Sequence, residues 1–388
     1  MPCHVEIAEM NFVALKMLMG DRAKYLGLIF TIAFASFLLA NQVSIFSNIM
    51  LRTASQIVDV PDADLWVMDR ETQYFDESKA LTENDLYRIR GVPGVAWAVR
   101  LYKGVARATA PDGKFRQVVL MGLDDATLVG APRKMLLGRF EDLRVPDAVI
   151  MDRAGYVYFF PNEPLALGKT FEFNDRRAKL VGIAEASAPF ATFPVFFTRY
   201  SQALNYVGRE RNLLAYVLVK AQPGISLDKL SARIESSTGL RAVSTEGFKW
   251  QTIGFYLNNT GIPVNFGITI GLAFLVGAVV AGQTFYLFTL ENLKQYGVLK
   301  AVGVTDRRII GMILLQAVMI GTLGYSIGMG MAAAFFEVTL NYLPTRGIVL
   351  MWQAGVGTGL TVLVIIVLAS LLSLRRVLVL EPAVVFRG

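Results

Sequence analysis

The chain has 388 residues, 54% of them hydrophobic and 18% charged, with a formal net charge of +7 and a mean hydropathy of +0.47. Soluble domains carry about 25% charged residues, so an ordinary soluble protein is excluded. The deficit is local: residues 25–51, 250–290, 309–336 and 347–374 contain no Asp, Glu, Lys or Arg, and each stretch exceeds the roughly 20 apolar residues that cross a ~30 Å hydrocarbon layer as a helix.

At the start of the chain stand Cys3 and His4, the single cysteine and the single histidine. Two adjacent ligands with no distant partners cannot complete a tetrahedral metal site. No disulfide, resident metal or histidine-base chemistry is expected, and the extreme N-terminus reads as disordered. Residues 1–24 form a cytoplasmic segment whose apolar part, Phe12 to Met19, suits a helix lying along the inner leaflet and anchored by Arg22 and Lys24. The first span is placed at 25–51. Its apolar run from Leu26 to Phe46 is longer than the ~7–15-residue core of a secretory signal, so it reads as a retained anchor.

Residues 52–260 have ordinary globular composition and read as an α+β domain, or two smaller ones, with no internal boundary visible. Alternating runs at 95–101 and 117–123, and shorter ones at 171–173, 178–183 and 216–219, predict strands. Thr82, followed by Asp85 three residues on, and Ser226 mark two helix starts. Gly91-Val92-Pro93-Gly94 and Gln222-Pro223-Gly224 read as turns. Two patterns here imitate catalytic motifs. Gly168-Lys169-Thr170 lacks the glycine five positions earlier that a phosphate loop needs, since Glu163 stands there; it reads as a turn into a strand. Ser226 and Lys229 have the spacing of a Ser-x-x-Lys nucleophile, but Ser226 stands where a helix cap belongs.

The second, third and fourth spans are placed at 261–290, 309–336 and 347–374, separated by a loop at 291–308 and a short one at 337–346, with a tail at 375–388. Uncharged spans argue against a pump with proton relays inside the bilayer. They are rich in glycine, including Gly267, Gly271, Gly277, Gly321, Gly324, Gly328 and Gly330, whose spacing lets helices approach closely, either within one chain or between copies. Orientation follows the basic residues near span ends. Lys16, Arg22, Lys24, Lys294, Lys300, Arg307, Arg308, Arg375, Arg376 and Arg387 stand on one side, against Arg346 on the other. Both termini and 291–308 are therefore expected in the cytoplasm, and 52–260 outside. The net positive charge is mostly topogenic, and no basic cluster with interleaved aromatics points to nucleic acid.

The strongest local signal runs from Glu291 to Ile310, Glu-Asn-Leu-Lys-Gln-Tyr-Gly-Val-Leu-Lys-Ala-Val-Gly-Val-Thr-Asp-Arg-Arg-Ile-Ile. As one helix it would align Tyr296, Lys300, Gly303 and Arg307 on one stripe, and Leu293, Gly297, Ala301 and Val304 on the next. Such a small, largely apolar surface with basic groups suits a groove on a cytoplasmic partner. The stretch resembles the coupling segment of the FtsX-like, MacB-type (type VII) ABC transporter permeases, commonly Glu-Ile-Gly-(Ile/Val)-x-(Arg/Lys)-Ala-x-Gly. The tail from Arg375-Arg376 through Glu381-Pro382-Ala383 to Arg387 is similar to that family's closing signature. Gln295 and Gln316 stand where the family commonly has Glu.

The resemblance implies a helical membrane protein with four transmembrane helices, one and then three, and a large α+β extracytoplasmic domain inserted between the first and second. It implies contact with the ATPase through Glu291, Lys294, Gln295, Tyr296, Gly297, Lys300, Gly303, Arg307 and Arg308. No Walker motif is present, so ATP and Mg²⁺ are expected on a separate cytoplasmic ATPase dimer, the arrangement of DevC-like permeases, and the chain itself is not expected to be an enzyme or to hold a cofactor. A second permease copy, a periplasmic adaptor and an outer-membrane channel are the further partners implied, in the inner membrane of a bacterium. The implied function is transmission of ATP-driven motion to the outer domain, with efflux of a lipid or small amphiphile. The alternative is a signalling subunit that activates a periplasmic cell-wall hydrolase.

Overall fold

The computed structural model of the chain describes residues 12–20, 22–191, 193–207, 214–342 and 347–378. Helix α1 (residues 12–20) precedes α2 (Arg22–Arg52). There follow α3 (Ser55–Val58), β1 (Leu65–Met68), α4 (Glu83–Arg90), β2 (Val95–Thr109), β3 (Phe115–Leu123), β4 (Lys134–Leu137), a 3₁₀ turn at Phe140–Arg144, β5 (Ala148–Asp152) and α5 (Arg153–Phe159). Then come β6 (Thr170–Phe173), β7 (Arg176–Glu185), β8 (Val195–Arg199), α6 (Tyr200–Val207), β9 (Tyr216–Ala221), α7 (Leu227–Thr238), β10 (Arg241–Ser244) and α8 (Thr245–Asn259). Four helices complete the described chain: α9 (Ile262–Glu291), α10 (Leu293–Ala301), α11 (Asp306–Tyr342) and α12 (Trp352–Leu378). The described residues fall into two compact units. One holds the helices up to Ser47, those from Gly261 to Tyr342 and that from Gly347 onward; the other holds Asn48–Thr260.

In the first unit, α2, α9, α11 and residues Trp352–Leu371 of α12 are long and apolar enough to cross a membrane. An uncharged segment in hydrocarbon has to satisfy every backbone N–H and C=O internally, and a continuous helix does so. The 41-residue uncharged stretch at 250–290 does not hold one long helix. It holds the end of α8, a break at Thr260 and Gly261, and then α9, which starts with Pro263 in its first turn, where proline is tolerated.

The glycines settle in unequal ways. A Cβ on Gly324 would meet Ile32 of α2 at 2.6 Å, and one on Gly328 would meet Ser36 Cβ at 2.6 Å and the Phe37 backbone nitrogen at 3.1 Å. Gly277 of α9 lies the same way against Ala35, at 2.9 Å. These three serve packing within the chain. Gly267, Gly271 and Gly330 face open space.

The second unit is built on one ten-stranded sheet in the order β10-β1-β9-β2-β3-β8-β5-β7-β4, with β6 pairing both β2 and β7. At one end, β1-α4-β2 and β9-α7-β10 interleave in the order β10-β1-β9-β2, all neighbours antiparallel; this is the split β-α-β arrangement of ferredoxin-like folds. β2 then runs on beyond Leu101, pairs with β3 up to Thr109, and reaches β6. The pairings β2-β3-β8-β5-β7-β6-β2 close a cycle. The domain is thus an α/β sandwich with a second set of strands inserted between its second and third strands.

Alternation explains the core. Leu65 and Val67 of β1 belong to the cluster that also holds Leu86, Ile89, Leu230 and Ile234 of α4 and α7. Trp66, on the opposite face, packs against Phe75, Tyr216 and Phe248. All four residues of β1 are buried, as a strand covered on both faces requires.

The helix starts differ. Thr82 closes a capping box with Asp85. Ser226 occupies the cap position of α7, but its side chain makes no capping bond; its carbonyl accepts from Leu230 N at 3.0 Å. The Gly168 stretch is a turn: Gly168 has φ +83°, its N–H bonds Leu180 O at 2.8 Å, and Thr170 opens β6.

Candidate functional site

The segment between the second and third spans is not one helix. α9 ends at Glu291, Asn292 folds its side-chain amide back onto Phe288 O (2.8 Å), and α10 begins at Leu293. α10 stops after about two and a half turns because Gly303 takes φ +99°. Gly303 N–H bonds Lys300 O and Val304 N–H bonds Leu299 O, each at 3.0 Å. These are the two bonds of a Schellman ending with glycine in the left-handed position. The continuous stripe Tyr296-Lys300-Gly303-Arg307 expected from the sequence is therefore corrected: Gly303 breaks it, and Arg307 belongs to the next helix. A glycine after Ala301-Val302 is itself a stop signal, which the single-helix reading overrode.

The turn has an inner and an outer side. Tyr296 and Gly297, expected at the ATPase contact, are buried within the chain. Tyr296 lies wholly inside, its OH 3.1 Å from Gln316 Oε1 of α11, and Gln316 Nε2 donates to Ala14 O of α1 at 2.7 Å. Burial pushes the Tyr296 phenol up to about 12, so it stays protonated and able to donate throughout the neutral range. Lys300 is only 10% exposed at its side chain and pairs with Asp306 across the turn at 2.9 Å. Glu291 pairs with Lys24 at the start of the first span.

The outward side carries Lys294, Gln295, Val298, Ala301, Val302, Gly303 and Arg307, with Arg308 half-buried. Val298 is 45% exposed and Val302, at the tip, 80%. Neither valine belongs to the two stripes of the sequence reading, because at 100° per residue both fall on the far side of a continuous helix. The result is an apolar knob flanked by the exposed cations of Lys294 and Arg307. Of the tail residues, Arg375 and Arg376 continue the backbone of α12. Glu381, Pro382 and Arg387 lie outside the described residues, as do Cys3, His4 and the tip of the short loop at 343–346.

The sequence model of the family described as MacB-like periplasmic core domain matches residues 26–237, more than half of the chain, and that described as FtsX-like permease C-terminal matches residues 267–382. The chain belongs to the MacB/FtsX-type ABC transporter permeases. Among curated relatives of this permease, an uncharacterized ABC transporter permease of Mycobacterium tuberculosis (strain ATCC 25618 / H37Rv) is 28% identical over 229 residues, covering 57% of this chain and 58% of the relative. A second permease from the same strain is 27% identical over 228 residues with the same coverage. The chain thus spans 58% of the length of the curated relatives it matches. Among solved structures, the periplasmic region of MacB from Actinobacillus actinomycetemcomitans is 17% identical with a TM-score of 0.39, covering 53% of this permease and 96% of that structure. The extracellular domain of YknZ, a noncanonic ABC-type transporter of Gram-positive bacteria, is 14% identical with a TM-score of 0.36, covering 47% and 98%.

Proposed function

We propose that this permease is the membrane subunit that couples ATP hydrolysis on a separate cytoplasmic ATPase dimer to movement of its extracytoplasmic domain. The observation that carries the reading is the knob at 294–307. It is a preformed apolar tip, Val298, Ala301 and Val302, with cations at its edge and its interior locked by Tyr296. A rigid helix end of this kind fits a groove on a partner at low ordering cost. ATP and Mg²⁺ are bound by that partner, and the permease contributes no catalytic group. Two copies act together in the inner membrane, with the termini and the knob inside, the orientation that the basic residues at the span ends favour. The first and second spans, α2 and α9, are the ones continuous in sequence with the outer domain, and they supply its mechanical connection. The cargo is a lipid or small amphiphile, moved outside the membrane with room for an adaptor and an outer-membrane channel. Spans without a charged residue offer no charged lining for a route through the bilayer.

The test is co-purification of the full chain with candidate cytoplasmic ATPases. Val302→Asp combined with Arg307→Glu, both on exposed positions, is expected to abolish the complex and the coupled ATPase activity. A variant that assembles and couples normally would refute the docking site. In cells lacking the protein, accumulation of a lipid or amphiphile is expected; altered cell-wall hydrolase activity without accumulation would favour signalling over export.

A further inference from the structure

Gln316 lies ten residues into α11, about 15 Å along the helix at 1.5 Å per residue, and none of it reaches the surface. An amide at that depth costs several kcal/mol unless both its ends are bonded. Both ends are. The oxygen faces the Tyr296 hydroxyl of α10 at 3.1 Å, and the nitrogen donates to the Ala14 carbonyl of α1 at 2.7 Å. The arrangement has a direction that chemistry dictates. A backbone carbonyl can only accept, so the NH₂ has to face Ala14, and the phenol then has to donate to the remaining oxygen. One side chain on the third span thereby joins two elements that lie far apart in the sequence.

The surrounding packing has the same shape. Ala14 and Leu18, one turn apart on α1, are fully buried. Leu18 shares a cluster with Tyr296, Ile309 and Ile313. The other side of α1 carries Phe12, Val13, Lys16 and Met19, all exposed, with the Lys16 ammonium over the Phe12 ring at 4.7 Å. α1 is thus held by its inner face to the coupling turn and leaves its outer face to the bilayer surface.

We propose that Gln316 is a positioning residue whose amide clamps α1 to the coupling helix α10, so that the two helices move as one piece. Force on the knob then enters the membrane through α1 as well as through α9 and α11. The transmission half of this inference rests on the docking function proposed above; the clamp itself does not.

The test uses the full chain in nanodiscs and two readouts. With Cys3→Ser, spin labels at Lys16→Cys and Lys294→Cys report the α1–α10 distance in the permease alone. A single narrow distribution is expected, and broadening in Gln316→Leu, in Gln316→Met, which keeps the side chain's length but cannot donate to the Ala14 carbonyl, and in the milder Tyr296→Phe. Unlabelled versions of the two Gln316 variants are expected to bind the ATPase with unchanged affinity, because the outward face is intact. They should lose at least about fivefold in coupled turnover, the size of effect of one buried hydrogen bond. An unchanged distance distribution in Gln316→Leu and Gln316→Met would overturn the clamp. If either Gln316 variant fails to fold, an unchanged distribution in Tyr296→Phe overturns it equally. Broadening with normal turnover would overturn the role in transmission. Should the wild-type permease bind no ATPase at all, the docking function fails while the distance measurement still decides the clamp.

Discussion

Two neighbouring glycines on the third span provide a matched comparison for the packing between spans. Gly328 and Gly330 both lie in α11, well inside the helix. A Cβ at Gly330 meets nothing within 4 Å, so Gly330→Ala keeps every contact and removes the conformational freedom of glycine. That change is worth about 0.5–1 kcal/mol of stabilisation. A Cβ at Gly328 meets the Ala33 carbonyl, Ser36 Cβ at 2.6 Å and the Phe37 nitrogen at 3.1 Å. Ordinary contact begins near 3.4 Å, so α11 and α2 have to part by about 1 Å at the Ala33 carbonyl, the nearest of the three. Two of the obstructing groups are backbone, so no side-chain rotation relieves the clash. Overpacking of this sort costs about 1–3 kcal/mol, which offsets and exceeds the same gain in helix propensity. Gly324→Ala is expected to behave like Gly328→Ala, since it runs into Ile32 Cβ at 2.6 Å and the Ile29 carbonyl at 3.1 Å. The assay is reversible unfolding of the full chain in mixed micelles. Gly330→Ala should come out as stable as wild type or more so, with Gly328→Ala and Gly324→Ala about 1–3 kcal/mol below Gly330→Ala. Equal stability of Gly328→Ala and Gly330→Ala would refute the close approach of α2 to α11.

Further outcomes follow from backbone geometry and capping. At Gly303, where φ is +99° and nothing obstructs a Cβ, the penalty is purely conformational. Amide exchange at Val304 should accelerate in the order Gly303→Asn, Gly303→Ala, Gly303→Val, reaching roughly five- to thirtyfold for a strain of about 1–2 kcal/mol; no acceleration in Gly303→Val would contradict the Schellman ending. In the outer domain, Thr82→Ala should destabilise α4 by about 1 kcal/mol, because Thr82 Oγ1 accepts from Asp85 N and Thr82 N donates to Asp85 Oδ2. Ser226→Ala should be close to neutral, since that hydroxyl makes no capping bond; exchange rates in α4 and α7 measure both.

Much of this protein is legible in one dimension because the bilayer acts locally. A run of uncharged residues long enough to cross hydrocarbon has few alternatives to a spanning helix, and the order of those runs, one and then three, marks out the inserted outer domain. Capping at Thr82, the turns at Gly94 and Gly224, and the strand cores at 95–101 and 216–219 are likewise decided by residues within a few positions of each other. The site was only half legible. Its position between the second and third spans and its cations could be read, and so could its glycine stop; which residues face outward could not, because α10 is too short for periodicity to separate an inner from an outer face.

What only the tertiary structure decided depends on partners far apart in sequence. The ten-stranded sheet brings β2 beside β9 across more than a hundred residues, a pairing that no local pattern encodes. Gly324 and Gly328 share the spacing of their neighbours on the same helix, yet they alone of that row abut α2, and this follows from where α2 lies. The clearest case is Gln316. Read alone it is a polar residue in an apolar span, and only the fold shows that it meets Tyr296 twenty residues before it and Ala14 three hundred and two residues before it. A buried amide must find both a donor and an acceptor, and the sequence by itself states that requirement without naming who meets it.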